Sequence, residues 1–164
     1  MFVRTASDRD ISAVRALLVE TWHATYDGIY GAERVTNITN EWHSIAALKT
    51  KLAAPRSEFL VADDGKQIAG MAFAQADETG ETVHLRQLYV LPAMQGRGIG
   101  GMLLDEIEDS FPEAKRFELD VEPDNKNAVR FYLSRGFVDA GPSTNIVAPA
   151  GACATARRMA ISRD

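Results

Sequence analysis

The chain has 164 residues, of which 46% are hydrophobic, and these values suit a single domain over residues 1–164 with a sizeable core. It carries 18 basic and 23 acidic residues, a formal net charge of -5, so charge gives no basis for binding nucleic acid or an anionic membrane. The single cysteine, Cys153, excludes an internal disulfide, and no His or Cys cluster has the spacing of a metal site. No apolar run is long enough for a membrane span or a signal peptide, and a cytoplasmic protein is expected.

The first half of the chain predicts a strand, two helices and a group of strands. Residues 2–6 form the strand, and the first helix begins after Ser7, which can cap it, and is broken at Gly28. Asn40 is the expected cap of a second helix that runs to about residue 53. Turn residues then join three strands into an antiparallel meander over residues 58–62, 67–76 and 82–90.

The second half alternates helices and strands. The pattern predicts helices over residues 101–111 and from an Asn125 cap to residue 135, and strands over residues 116–121, 137–140 and 154–161. A helix joins the strand ending at residue 90 to the one starting at residue 116. Such a crossover is right-handed and makes the two strands parallel. The expected architecture is an α/β (α+β) fold with a mixed, mostly antiparallel sheet of about seven strands and about four helices.

An irregularity is expected in the third meander strand. Under strict alternation Val83 and Leu85 lie on one face, whereas Leu88 and Val90 lie on the other. One extra residue around positions 86–87 places all four on the same face and forms a β-bulge, although one half-exposed pair would also fit the pattern. A bulge bends the strand away from its parallel neighbour. Backbone N–H and C=O groups are then left unpaired in the gap.

A glycine-rich turn follows this strand and contains Gly96, Gly98, Gly100 and Gly101. Glycines let the backbone approach a ligand closely, and the N–H groups at the start of the next helix favour a phosphate. The spacing matches the dinucleotide fingerprint, but the chain left after Asp120 is too short for a doubly wound sheet. No Lys-Ser or Lys-Thr pair follows the glycines, so a P-loop is excluded.

Three motifs together resemble the GCN5-related N-acetyltransferase (GNAT) family over essentially the whole chain. They are Gln95-x-x-Gly98-x-Gly100, Leu88-Tyr89-Val90-x-Pro92 and Asn125-x-x-Ala128-x-x-Phe131-Tyr132-x-x-x-Gly136-Phe137. The resemblance implies a sheet splayed between strands 4 and 5, with acetyl-CoA as cosubstrate in the gap and no metal. The residues that it implies for cofactor binding are Leu88, Tyr89, Val90, Gln95, Gly96, Arg97, Gly98, Ile99, Gly100 and Asn125.

The chemistry of such enzymes requires three groups, because an amine attacks the thioester directly. These are a donor for the oxyanion, an acid for the thiolate and a base for the ammonium. Tyr132 matches the tyrosine that the family places near the CoA sulfur, so the resemblance implies that it is the acid. The expected oxyanion donor is the backbone N–H of Leu88 or Tyr89 beside the bulge.

His84 is the candidate base. It stands where the histone-acetylating branch of the family has a glutamate, at the same separation from Gln95, and an imidazole can accept a proton near neutral pH. A lone histidine on a strand is also commonly structural. Glu118, Asp120 and an ordered water chain therefore remain alternative routes for the proton.

Acceptor recognition is expected from the N-terminal helices. The segment around Tyr26 and Tyr30 resembles one found in small members of the family, so both are candidate pocket walls, although Tyr26 fits a core position equally well. The expected acceptor is the primary amine of a small molecule or peptide, and an exposed final hairpin would allow a homodimer. A module that binds acyl-CoA without turnover, or a donor longer than acetyl, remains an alternative.

Overall fold

The structure is a computed structural model that describes residues 1–143 and 156–163. Its strands are β1 (Phe2–Thr5), β2 (Ser57–Asp63), β3 (Ile68–Ala76), β4 (Thr82–Val90), β5 (Arg116–Val121), β6 (Val138–Pro142) and β7 (Arg157–Ser162). Its α-helices are α1 (Ile11–Tyr30), α2 (Ala32–Trp42), α3 (Ile45–Leu52), α4 (Ile99–Ser110) and α5 (Lys126–Ser134).

The seven strands form one sheet in the order β1-β2-β3-β4-β5-β7-β6. The β4–β5 pair is parallel, and the other neighbouring pairs are antiparallel. The predicted mixed sheet and the parallel crossover through α4 are therefore confirmed. The start of the last predicted strand, at residues 154–155, lies outside the described residues.

The helices differ from the prediction before the sheet begins. The predicted break at Gly28 is wrong, because α1 continues through it and ends at Gly31, whose φ is +89°. One helical glycine costs only about 1 kcal/mol, and the buried side chains of α1 offset that cost. Asn40 lies inside α2, while the Ser44 hydroxyl caps α3 by accepting a hydrogen bond from the Ala47 N–H at 3.1 Å. None of the described helices is both long and apolar enough to cross a membrane.

Helix α4 packs closely on the sheet and fixes where the glycine turn lies. Its Leu103, Leu104 and Ile107 are fully buried in the same hydrophobic cluster as side chains from β2, β3, β4 and β5. Helix α4 can come this close to the sheet because residue 70 of β3 is a glycine. A Cβ at Gly70 would lie 3.0 Å from both the Leu103 side chain and the Tyr89 carbonyl oxygen. The start of α4 is therefore held against the carboxyl end of β4.

The predicted bulge in β4 is confirmed at Arg86. Phe73 of β3 faces Gln87 and the next residue, Ala74, faces Leu85, so Arg86 has no partner across the ladder. Because of the extra residue, the apolar side chains after the bulge face the same core as those before it. One hydrophobic cluster consequently contains Val83, Leu85, Leu88 and Val90.

Strands β4 and β5 separate at this bulge. Their parallel register runs from Thr82 opposite Arg116 to Leu85 opposite Leu119, and the next residue of β4 is Arg86. From there to Val90, the ladder with β5 does not continue among the described strands, and β4 pairs with β3. One edge of β4 therefore faces a gap, as expected for a splayed sheet.

Candidate active site

The gap between β4 and β5 opens into a cavity of about 820 Å³. Its walls come from α1, the second half of β4, the glycine turn, the carboxyl end of β5 and the starts of α4 and α5. The predicted site residues in its lining are Tyr26, Leu88, Tyr89, Val90, Gln95, Gly96, Gly98, Ile99, Gly100, Asn125 and Tyr132. Arg97, Tyr30 and His84 lie outside this lining, so none of these three side chains forms a wall of the cavity.

The glycine turn is shaped to present backbone N–H groups. Gly96 and Gly98 have φ values of +78° and +81°, and Gly98 is the N-cap of α4. A side chain would strain both positions, and the first N–H groups of a helix have no intrahelical acceptor. The Gln95 side chain donates to the Val90 carbonyl at 3.0 Å and ties the turn to the end of β4. This corner is therefore suited to hold an anionic group.

The start of α5 is tied to α1 through two tyrosines. Asn125 Oδ1 accepts from the Ala128 N–H at 3.4 Å, and its Nδ2 donates to the Tyr26 hydroxyl at 3.3 Å. Tyr26 stacks on Tyr30 with ring centroids 5.3 Å apart, and the Tyr30 hydroxyl donates to Glu122 at 3.0 Å. Tyr30 thus supports the wall residue Tyr26 and is itself outside the wall.

Tyr132 is buried beside the cavity. Its ring meets Phe131 and Phe137 edge-on, at centroid distances of 5.1 Å and 5.6 Å. Within residues 1–143 and 156–163, its hydroxyl makes no hydrogen bond to another residue. Burial, with a smaller effect of Tyr26, raises the pKa of the Tyr132 phenol above its usual value. Tyr132 therefore carries its proton at neutral pH and can donate it.

His84 lies on a second cavity of about 560 Å³, and only Arg86 lines both cavities among the described residues. His84 Nε2 lies 3.3 Å from Oδ2 of Asp120, which lines the main cavity. Burial raises the pKa of Asp120, but contacts with His84 and Ser143 and the charge of Arg158 outweigh it, leaving a pKa of about 2. His84 therefore adjoins the main cavity through Asp120.

Glu118 is held by two arginines. Its carboxylate accepts from Arg116 Nε at 3.1 Å and lies 3.7 Å from Arg158 Nη1. Arg158 also donates to Asp120 at 3.4 Å, so β7 supplies a cation shared by both acids. No sequence motif marks Arg158, Arg86 or Gln87 as site residues. Within the described ranges, no group of three His, Cys, Asp or Glu side chains could hold a metal ion.

Residues 14–137 match the model of the Acetyltransferase (GNAT) family, so the chain belongs to this family. It is 35% identical over 100 residues to N-alpha-acetyltransferase RimI of Mycobacterium tuberculosis, covering 58% of this chain and 61% of that protein. It is 33% identical over 93 residues to IAA acetyltransferase of Azospirillum brasilense, covering 56% of this chain and 61% of that protein. The matched region thus spans 61% of the length of each curated relative.

Solved structures share the fold. The PaiA N-acetyltransferase from Thermoplasma acidophilum in complex with coenzyme A has a TM-score of 0.88 and 21% identity, covering 99% of this chain and 98% of that chain. Ribosomal-protein-alanine N-acetyltransferase from Brucella melitensis has a TM-score of 0.72 and 20% identity, covering 99% and 100%. At sequence identities this low, the similarity shows a common fold. In each comparison it extends over nearly the whole length of the two chains.

Proposed function

We propose that this protein is an acetyl-CoA-dependent N-acetyltransferase that acetylates the primary amine of a small molecule or a peptide. One observation carries the proposal: the glycine turn, the half of β4 that has separated from β5 and the Tyr132 side chain all line the same cavity. Membership of the GNAT family supports it. Three further expectations stay predictions from the sequence: a single domain over residues 1–164, a cytoplasmic location and a homodimer.

The cofactor would lie along β4. In this arrangement the pyrophosphate meets the N–H groups between Gln95 and Gly100, and the pantetheine arm pairs with the backbone of Leu88 to Val90 as an added strand. The thioester then lies near the bulge and Tyr132. The presence of coenzyme A in the PaiA structure, which shares this fold, supports CoA as the ligand of the cavity.

Two of the three groups that the reaction needs, the oxyanion donor and the acid, lie around this position. The amine nitrogen forms a bond to the thioester carbon, and the oxyanion that develops is stabilised by the backbone N–H of Leu88 or Tyr89. When the C–S bond breaks, the sulfur takes the electron pair and receives the Tyr132 proton, giving CoA. A base takes one proton from the acceptor ammonium before the attack, and the extra proton that the attacking nitrogen still carries returns to the Tyr132 oxygen. The products are an N-acetylated amine and CoA.

We assign the base to His84 in preference to the two acids. A carboxylate with a pKa of about 2, as in Asp120, accepts protons weakly at neutral pH, and Glu118 is paired with two arginines. His84 faces the second cavity and contacts Asp120, so the Asp120 carboxylate can orient the imidazole. A water chain past Asp120 would connect His84 to the amine.

Replacing His84 with Gln is expected to lower the turnover rate about tenfold to 100-fold at pH 7 and much less above pH 9. At high pH more of the amine is already deprotonated in solution, so the enzyme base contributes less. The measurement is the pH profile of kcat/KM. His23→Gln is the matched control, because His23 pairs with Asp27 on α1 outside both cavities. A His84→Gln profile superimposable on that of the wild type would remove His84 from the mechanism.

The activity itself is tested by thiol release from acetyl-CoA over a broad panel of primary amines, with longer acyl-CoA donors in parallel. Release that depends on the amine, together with an acetylated product in the mass spectrum, is the expected result. Tight CoA binding without release across the panel would instead favour an acyl-CoA-binding module. Absence of CoA binding would contradict the whole assignment.

A further inference from the structure

Arg86 occupies a distinctive place between the two cavities. It is the bulge residue, it is exposed, and it follows the last parallel pair of β4 and β5. It lines both the main cavity and the second cavity. Within the described part of the chain, no acidic side chain forms an ion pair with its guanidinium.

A second cation, Lys51, lies near the bulge, although it is in the lining of neither cavity. Lys51 of α3 places Nζ 5.6 Å from the centroid of the Phe73 ring, and Phe73 faces Gln87, the neighbour of Arg86, across the ladder. Burial, followed by the charge of Arg86, lowers the pKa of the Lys51 ammonium. No carboxylate in residues 1–143 or 156–163 pairs with Lys51. Two cations that no described acid pairs with repel each other, and a bound anion would relieve that repulsion.

Of the three acids of the second cavity, Glu118 is in an ion pair, and Asp77 and Glu78 are exposed residues between β3 and β4. Asp77 accepts from the Thr79 hydroxyl at 2.7 Å in the β3–β4 turn. Glu118 is paired with Arg116, as described above, and Glu78 is an exposed turn residue. The lining contains three arginines, Arg56, Arg86 and Arg116, and among the described residues Arg116 is the one of them that is paired with an acid.

Gln87 adds an unused hydrogen-bond acceptor beside these cations. Its Nε2 lies 3.1 Å from His43 Nδ1, and burial together with the charge of Lys51 lowers the pKa of His43 to about 4. His43 is therefore neutral at pH 7, and its Nδ1 accepts the hydrogen bond from the Gln87 amide. The carbonyl oxygen Oε1 of Gln87 is left buried and without a partner, although Gln87 lines the main cavity. Such an atom in a native protein calls for a ligand or water.

We propose that Arg86 and Lys51 bind a carboxylate of the acceptor, while Gln87 Oε1 accepts a hydrogen bond from the acceptor amine. The preferred acceptor is then an amine that carries a carboxylate, such as an amino acid or an acidic peptide. This inference rests on the proposed function and specifies the acceptor of the same site. A guanidinium that lines both cavities and an ammonium near the bulge match the charge of a carboxylate.

The test compares acceptors that differ only in charge. One set is a length series of amino carboxylic acids, each paired with its carboxamide, and the other is a set of peptides with Glu or Gln at the second position. For the wild type, kcat/KM is expected to favour the charged member by about tenfold in at least one set. A preference in the first set identifies a small amino acid as the source of the carboxylate, and one in the second set identifies an acidic peptide.

Variants then test which residues cause the preference for an acceptor with a carboxylate. Arg86→Gln and Lys51→Met are each expected to reduce the ratio of the two kcat/KM values by about fivefold to tenfold, and Arg86→Glu is expected to reverse it. Arg9→Gln, an exposed residue outside both cavities, makes the same change of charge and is expected to leave the ratio as in the wild type. A wild-type ratio near one in both sets, or a ratio unchanged in Arg86→Gln and Lys51→Met, would overturn the proposal.

A binding measurement distinguishes failure of this proposal from failure of the proposed function. Calorimetric titration of the protein–CoA complex with each charged acceptor and its neutral partner measures the carboxylate preference without turnover. A carboxylate preference that Arg86→Gln removes supports the anion site even where no amine is acetylated, and in that case only the proposed activity fails. Equal affinities for all pairs contradict the anion site, whatever the rate of acetylation.

Discussion

Replacing Tyr132 with Phe is expected to lower kcat by about 100-fold or more, while the Kd for acetyl-CoA stays within about threefold of the wild-type value. The phenol lines the cavity in which the thiolate is expected, and burial raises its pKa, so it is protonated throughout the neutral range. The ring itself packs against Phe131 and Phe137, and Phe retains those contacts. The loss is therefore confined to the proton transfer.

Single-turnover kinetics and acetyl-CoA titration measure the two quantities separately. Thermal unfolding supplies the control, because the Tyr132 hydroxyl makes no hydrogen bond to the described residues and its removal leaves no partner unpaired. An unchanged or higher Tm is expected. A kcat equal to that of the wild type would assign Tyr132 to packing alone.

Replacing Gly98 with Val is expected to weaken acetyl-CoA binding by about 30-fold or more. Gly98 has a φ of +81° at the N-cap of α4, and a β-branched residue is strongly disfavoured there. The turn must change conformation to accommodate valine. The N–H groups that face the expected pyrophosphate then lose their alignment, and each charge-assisted hydrogen bond contributes about 1.5–3 kcal/mol.

Gly80→Val is the matched control for this change. Gly80 has a φ of +76° in the β3–β4 turn, outside the main cavity, and a Cβ at either glycine meets no other atom within 4 Å. The two substitutions therefore impose similar backbone strain at different places. Gly80→Val is expected to lower Tm about as much as Gly98→Val and to leave the Kd for acetyl-CoA unchanged. Equal losses of affinity in both variants would attribute the effect to general destabilisation.

The fold was largely predictable because its informative features are local. The alternation of apolar residues in β4 changes phase at Arg86, and the structure has its bulge there. The glycines that need a positive φ stand where the turn requires them. The helix boundaries were less predictable, since the cost of Gly28 within α1 is small compared with the packing that extends the helix.

The site was predictable only in part. Motifs identified the cavity residues on one continuous stretch of chain, from Leu88 to Gly100, and the aromatic Tyr132. They also suggested Tyr30 and His84, whose side chains the structure places outside the main cavity. No local pattern relates Arg158 to Asp120, because β5 and β7 are brought together by pairing across the sheet.

The sequence by itself determined the family, the strand order around the bulge and the turn that presents backbone N–H groups, because each depends on residues close together in the chain. The tertiary structure alone decided that Lys51 of α3 lies over Phe73, the residue opposite Gln87 at the bulge of β4, and that His84 contacts Asp120 from a second cavity. Such contacts depend on strand register and on how helices pack against the sheet. These are set by the whole core, and residues distant in sequence carry no spacing signal for them.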